Sequence, residues 1–365
     1  MASTAGNDMT EAESPLRAGA RRGGTDPVDR RVVHRWAVAT VACTFLLILA
    51  GALVTSRDAG LAVPDWPLSF GTVNPPQWYA IENVRTEHGH RVIAGGVALL
   101  TVLMALTVRR REKDPRIRKL AALAVLAVLF QAMLGGLRVL HLSIDLAMVH
   151  GCMGQIFLCI GVALATMTSP RWTEPSRAAA PARALTSLCA ILPAVVLCQL
   201  VMGVLIRHNS LLSVSEFLTQ PLLIGHILTA LAVAVLTLML FRALRSESAA
   251  GGLSHAARRS RLLAGLVIAQ IATGLAAVVI TSAMAHDRQA TILESWIPTL
   301  HVAIGAAILS TSVVIALHVL VRSPIVATAR DSTTDAAAAL TQATVIPAST
   351  TNADAAPGGG MLETA

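Results

Sequence analysis

Eight uninterrupted apolar stretches, each about 20 residues long, constrain this chain more than anything else in it. They cover about 36 to 56, 90 to 108, 120 to 139, 147 to 168, 184 to 206, 220 to 241, 262 to 284 and 296 to 320. A helix needs roughly 20 apolar residues to cross about 30 Å of hydrocarbon. Inside a bilayer every backbone polar group must be satisfied within the protein. Of the 365 residues 54% are hydrophobic and 14% charged, which is too apolar for a soluble domain of this length. The expected fold class is an all-α membrane protein with eight transmembrane helices.

The formal net charge of +8 raises nucleic acid as a partner, and the placement of the basic residues removes it. Arg30, Arg31 and Arg35 precede span one, and RRREKDPRIRK (109–119) follows span two. Arg171, Arg177 and Arg183 follow span four, Arg242, Arg245, Arg258, Arg259 and Arg261 follow span six, and Arg322 and Arg330 follow span eight. The intervening loops carry only Arg57, Arg85, Arg91, Arg138, Arg207 and Arg288. Such alternation is a topology signal: by the positive-inside rule both termini are cytoplasmic and the protein sits in a bacterial-type plasma membrane. Trp36, Trp66, Trp78, Tyr79, Trp172 and Trp296 fall at span ends or in loops, where amphipathic rings suit the headgroup zone. The polar first thirty residues lack an apolar core of their own, so span one is read as the first anchor. Cys43, Cys152, Cys159, Cys189 and Cys198 all lie in spans without a CxxC spacing, so packing is expected of them and no structural disulfide.

An internal repeat organises the spans. QAMLG (131–135), QLVMG (199–203) and QIATG (270–274) place Gln and Gly on one helix face in spans three, five and seven. Each is followed, across a loop, by a span with a histidine near its start: His150, His226 and His301. Span one has GALV (51–54) without the Gln, and span two opens with His90. Two tandem four-helix bundles related by pseudo-twofold symmetry account for this pattern. The expected organisation is a disordered cytoplasmic N-terminus (1–31), an N-terminal unit (32–170) with a long outer loop (57–87), a cytoplasmic linker (171–183), a C-terminal unit (184–322) and a disordered cytoplasmic tail (323–365). The Gln residues read most simply as amide contacts between packed helices.

An ionisable side chain within a span is costly unless it faces the bundle interior or a cofactor. Four histidines at equivalent positions on four helices that enter from the same side point to metal ligation. Histidines from facing helices clamp a haem iron axially, whereas a structural zinc site wants four clustered ligands. Nearby glycines suit a flat macrocycle: Gly95 and Gly96 after His90, Gly151 and Gly154 after His150, Gly225 before His226, and Gly305 after His301. They also suit plain helix packing. Arg138 and Arg207 end spans three and five at corresponding places, and with Arg91 they are candidates for contact with cofactor carboxylates. His88, His141, His208 and His286 are expected at the outer surface in solvent, His34 and His255 in cytoplasmic segments, and His318 at the inner interface.

The sharpest local feature is TEHGHRVIAGG (86–96). Glu87, His90 and Arg91 fall on the first turn of span two, and positions i and i+3 face one way. A carboxylate beside a metal-ligating histidine at the membrane boundary is suited to proton transfer, since partial desolvation would raise its pKa. Before it runs GLAVPDWPLSFGTVNPPQWYAIENVRTE (60–87), stiffened by four prolines and rich in aromatic residues. A loop of that length is expected to act as a lid or a binding surface.

These residues resemble the haem A synthase family of cytochrome oxidase biogenesis, through EHGHR, which matches a Glu-x-x-His-Arg motif, PDWPLSFG (64–71), and the histidines of spans two, four, six and eight. The resemblance spans about 32 to 322. It implies an oxidoreductase that converts the C8 methyl of haem O to a formyl group, giving haem A. It further implies that His90 and His150 serve substrate haem, that His226 and His301 ligate a haem b, and that Glu87 is the catalytic carboxylate. Partners implied are haem O, molecular oxygen or water, an electron donor, haem O synthase, cytochrome oxidase assembly factors and membrane lipid; an oligomer is compatible. A cysteine pair found in the first outer loop of some family members is missing here, where Val63 precedes Pro64. Two rivals use the same histidines: a dihaem b-type cytochrome that only relays electrons, and a haem transporter or chaperone. A simple relay does not require Glu87 or the long loop, and a transporter or chaperone would lack turnover and a permanent haem.

Overall fold

The structure, a computed structural model, describes residues 27–172, 182–209, 216–249, 254–283 and 291–322. The expected disordered ends apart from residues 27–31, most of the linker, and His286 with Arg288 lie outside the described residues. Among those described, eight helices are long and apolar enough to cross a membrane. They are α1 (Pro27–Ser56), α2 (Glu82–Arg111), α3 (Pro115–Leu140), α4 (Ile144–Thr168), α5 (Arg183–Asn209), α6 (Glu216–Ala249), α7 (Ser254–Ala283) and α8 (Ile292–Ala316), the last running on as a wider turn over Leu317–Arg322. The protein is an all-α, multi-pass membrane protein.

Local chemistry sets the helix starts. Asp114 accepts the Arg116 N–H at 2.8 Å ahead of Pro115, and Ser143 accepts the Leu146 N–H at 3.2 Å. Thr291 and Glu294 form a reciprocal capping box that starts α8. Inside the spans, threonines return their hydroxyls to the carbonyl four residues earlier, as Thr44 does to Thr40 and Thr101 to Val97. A hydroxyl so satisfied is cheap to bury.

Helices begin earlier than their apolar stretches. Residues 27–31, expected in the disordered N-terminus, are instead helical, and Arg30 donates to the Met167 carbonyl at 2.8 Å. His34, expected in a cytoplasmic segment, lies inside α1 and bonds the Ala165 carbonyl at 3.0 Å. Helix α2 starts at Glu82, so the loop is 57–81 rather than 57–87, and Glu87, His90 and Arg91 fall in its second and third turns. Apolar length reports where hydrocarbon begins, whereas these polar first turns are held by partners: Arg57 pairs with Glu82 at 3.0 Å and donates to Thr86 at 3.2 Å.

Helices α1 to α4 pack as a ring in which each touches its two neighbours, and α5 to α8 repeat that ring. The rings join where α1 and α4 meet α8, with α5 also against α4. Leu158, Val162 and Ala306 are buried at that seam, with Phe45 and Ile48 against them. Each ring has its own apolar core. Val33, Met104, Ile117, Phe157 and Leu164 fill the first, and Leu185, Leu192, Leu240, Leu263 and Leu309 the second. Both cores lie toward the end that carries the basic loops. The histidines occupy the opposite end. Leu126, Ile268 and Leu275 are each at least 65% exposed, as lipid-facing side chains of a membrane bundle should be. All five cysteines are free and helical.

Candidate functional site

Each of the four histidines is seated on a glycine of the helix before it. A Cβ added to Gly51 of α1 would stand 3.1 Å from Cε1 of His90, and one on Gly135 of α3 would stand 3.0 Å from Cε1 of His150. In the second ring the corresponding distances are 3.3 Å from Gly203 to His226 and 2.8 Å from Gly274 to His301. Such spacing is tighter than ordinary contact, so the missing side chain is what admits each imidazole. The glycines singled out on the even helices do other things. Gly154 and Gly305 make room for the amides of Gln131 and Gln270, Gly151 and Gly225 pack on α5, and Gly95 and Gly96 meet nothing within 4 Å. The cradle was thus written in the Gln-x-x-x-Gly repeat, read from sequence as helix packing alone.

In the second ring the His226 and His301 imidazoles face each other with centroids 6.5 Å apart and planes at 53°. One metal between two imidazoles, with bonds of about 2 Å and about 1 Å from each ring centre to its nitrogen, needs a separation of about 6 Å. In the first ring, His90 lies within electrostatic reach of His150, and Arg138 is within reach of both. Nδ1 of His90 and Nδ1 of His226 are buried without a hydrogen-bond partner. Among the described residues no group of three or more His, Cys, Asp or Glu is placed to hold a metal ion. The donors come in pairs. Paired imidazoles and glycine cradles fit a haem, which these histidines would hold, and do not fit a closed zinc site.

The first ring adds a cap. Glu87 is 1% exposed; its Oε1 accepts from Arg91 at 2.8 Å and lies 4.0 Å from Arg138, while its Oε2 accepts the Val63 N–H at 3.1 Å. Arg91 then grips the loop by three carbonyls, those of Asp65 at 2.6 Å, Val63 at 2.9 Å and Leu68 at 3.0 Å. A guanidinium fork is the side chain able to hold so many acceptors at once. A Cβ on Gly60 would come within 3.0 Å of the Arg138 guanidinium, so that glycine lets loop and arginine close together. Trp66 lies flat on α3 at Gly136, where any Cβ would strike the indole.

Within the loop, Phe70 and Gly71 adopt left-handed φ of 52° and 75° and aim two successive N–H groups at the Asp65 carboxylate, each at 2.7 Å. Donation from the Gly71 N–H, seconded by Phe70, holds the Asp65 carboxyl below its usual range. His88 is 3% exposed, shares a 2.8 Å hydrogen bond with Ser69 and packs on Trp78 with centroids 4.9 Å apart. Solvent was the sequence expectation for His88; the folded loop buries it instead. No periodicity of α2 announces that contact, since its partners are loop residues. His141 is exposed as expected, and His208 bonds the Val204 carbonyl at 3.0 Å.

Arg207, in the second ring, donates to Ser56 of α1 at 3.0 Å, and Ser56 also accepts from Thr299 of α8 at 3.0 Å. The two rings are therefore joined by a buried polar knot close to His301. His318 is buried, its ring edge-on to Trp172 at 5.6 Å.

The fold and site define a multi-pass helical membrane protein that pairs histidines across neighbouring helices at one end of each of two bundles. Residues 34–220, just over half of the chain, match the family model COX15-CtaA, cytochrome oxidase assembly protein, and the chain belongs to that family. It is similar to proteins named heme A synthase. One from Shouchella clausii is 37% identical over 121 residues, which are 32% of this chain and 38% of that one. One from Symbiobacterium thermophilum is 37% identical over 130 residues, 35% and 41% of the two chains. One from Caulobacter vibrioides is 31% identical over 153 residues, 39% and 45%. The matched stretches span about two fifths of those relatives. The family match ends before His226.

Proposed function

We propose that the chain is a haem A synthase, oxidising the C8 methyl of haem O to a formyl group and so giving haem A for cytochrome oxidase. The observation that carries this reading is the cap on the first ring: Glu87, buried beside the His90 and His150 pair and tied through Arg91 to an ordered loop. A relay cytochrome or a haem carrier would need the histidines but not that construction. Membership of the cytochrome oxidase assembly family and likeness to proteins named heme A synthase support it.

On this reading His90 and His150 bind the iron of the substrate haem, with Gly51 and Gly135 fixing their ring planes. Glu87 holds or moves a proton at Oε1 or Oε2, with Arg91 and Arg138 countering its charge. The loop over 57–81, through Trp66 on Gly136, keeps water from the methyl group being oxidised. His226 and His301 would hold a resident haem b, and that group supplies one-electron chemistry when bound. Molecular oxygen, reduced with electrons from a donor, hydroxylates the methyl group in successive steps, and loss of water leaves the formyl group. Arg109, Arg110 and Arg111 end α2 at the face opposite the histidines, which supports cytoplasmic termini and haem sites toward the outer face.

The test is co-expression with a haem O synthase in cells lacking haem A, followed by chromatography of extracted haems. Haem A should appear aerobically. Haem O alone, from a folded, haem-loaded protein with a competent electron donor, would return the chain to the relay reading.

A further inference from the structure

Two of the three glutamines of the repeat, Gln131 and Gln270, stand in different settings, and the difference concerns the ligating nitrogens. Gln131 and His150 hold each other reciprocally. The Gln131 side chain donates to the His150 carbonyl at 2.8 Å, and Nδ1 of His150 donates to the Gln131 carbonyl at 3.1 Å. A carbonyl only accepts, so His150 carries its proton on Nδ1 and its Nε2 presents a lone pair.

His301 reaches the same tautomer, with Thr273 as well as the Gln270 carbonyl beside its ring. Thr273 gives its hydroxyl proton to the Ala269 carbonyl at 2.9 Å, which leaves Oγ1 to accept from Nδ1 of His301 at 3.4 Å. Nε2 again carries the lone pair. Here, however, Nε2 of Gln270 lies 3.1 Å from Nε2 of His301 and donates to it. Gln270 occupies the repeat position of Gln131, four residues before the cradling glycine. Its amide nitrogen meets the ring rather than a backbone carbonyl, while Oε1 is buried without a partner in Gln270 and Gln131 alike. A Cβ on Gly305 would lie 3.4 Å from that amide and one on Gly154 3.2 Å from the amide of Gln131, so both helices leave room for the glutamine.

We propose that Gln131 and Gln270 are positioning residues of opposite effect: Gln131 secures His150 with its ligating nitrogen open, whereas Gln270 covers the ligating nitrogen of His301 and must withdraw before iron binds there. This rests on the haem reading of the four histidines. Covering a ligand lowers apparent affinity by the fraction of molecules left open.

Iron protoporphyrin IX serves as the probe, titrated into the detergent-purified full chain and followed by Soret absorbance. A His90→Ala, His150→Ala background isolates the second site. There Gln270→Leu, and Gln270→Asn, whose shorter amide falls away from the ring, should each bind the probe about fivefold more tightly than their parent. A glutamine that merely packs would weaken binding when removed, so affinity equal to or below the parent's overturns the assignment of Gln270. In a His226→Ala, His301→Ala background, Gln131→Leu should weaken binding about tenfold; unchanged or tighter binding overturns the assignment of Gln131. Should neither parent bind the probe, the haem reading itself fails and takes the proposal with it. Parents that bind, with glutamines that do not respond, sink the proposal alone.

Discussion

The two bundles share a scaffold and differ in what has been added to it. In both, an odd helix offers a glycine, the next helix seats an imidazole on it, and an apolar core fills the far end. Only the first bundle has, among the described residues, a long ordered segment folded across its histidine end and a buried carboxylate reaching into that segment. On the proposed function the four-helix ring with its glycine seats would be a holder for a flat ligand. Reaction chemistry would then enter with the cap. Function on this fold belongs to a grafted site rather than to the bundle.

The largest effects should separate the bundles by their histidines. Replacing His226 or His301 with Ala is expected to remove the b-type signal from the reduced-minus-oxidised spectrum. Replacing His90 or His150 is expected to keep that signal while haem O conversion falls by more than the 10- to 100-fold typical of outer-shell changes (about 1.4 to 3 kcal/mol). Loss of the b-type signal in His90→Ala would mean that the bundles do not divide the work. Glu87→Ala should keep the signal and halt conversion, and full conversion by this variant would remove Glu87 from the reaction.

Glycine substitutions come next and test the shared half of the comparison. Alanine forces the ring to shift most at Gly274, where the added Cβ stands 2.8 Å from His301, and least at Gly203, at 3.3 Å from His226. Overpacking of this kind costs roughly 1 to 3 kcal/mol. Haem content per purified protein should therefore fall further in Gly274→Ala than in Gly203→Ala. The reverse order would show that something other than ring contact sets these positions.

Hydrophobic length made the eight helices legible in the sequence, and the spacing of histidines made the paired sites legible. Both signals are periodic and local. The cap was not legible in the same way. Glu87 and Arg91 stand out within EHGHR, yet nothing in α2 says that Arg91 ends on the carbonyls of Val63, Asp65 and Leu68, because backbone acceptors leave no mark in a sequence. His88 was read as a solvated residue for the same reason: Ser69 and Trp78, which bury it, come from a loop without a period. The glycine cradles were visible as a repeat, but their purpose needed the neighbouring helix. Helix starts moved outward from the apolar limits wherever a polar first turn found partners, as Glu82 did in Arg57.

Smaller effects should be confined to the cap and leave the second bundle untouched. Arg91→Lys keeps the charge and loses the fork, so it cannot hold three carbonyls and Glu87 together. Hydrogen bonds to charged groups contribute about 1.5 to 3 kcal/mol each. Proteolytic cutting within 57–81 is expected to rise at least about tenfold, as loss of one such bond implies, with an unaltered b-type spectrum. A cap that stays resistant would mean that Trp66 on Gly136 suffices to hold it.

The smallest effect belongs to Asp65, whose carboxylate gathers the Phe70 and Gly71 N–H groups at the turn of the cap. Because these donors lower its pKa, the carboxylate favours the folded loop above the usual carboxylate pKa of about 4 and stops doing so as pH falls through the depressed value. Protease resistance of the wild-type loop should therefore hold from neutral pH down to about 4 and weaken only in more acid solution. Asp65→Asn keeps an acceptor without the charge. It should show mildly raised cleavage at neutral pH and no further change in that acid range. If the variant instead follows the wild-type acid response, the sensitivity resides outside Asp65, and the nest at Phe70 and Gly71 is not what holds the turn of the cap.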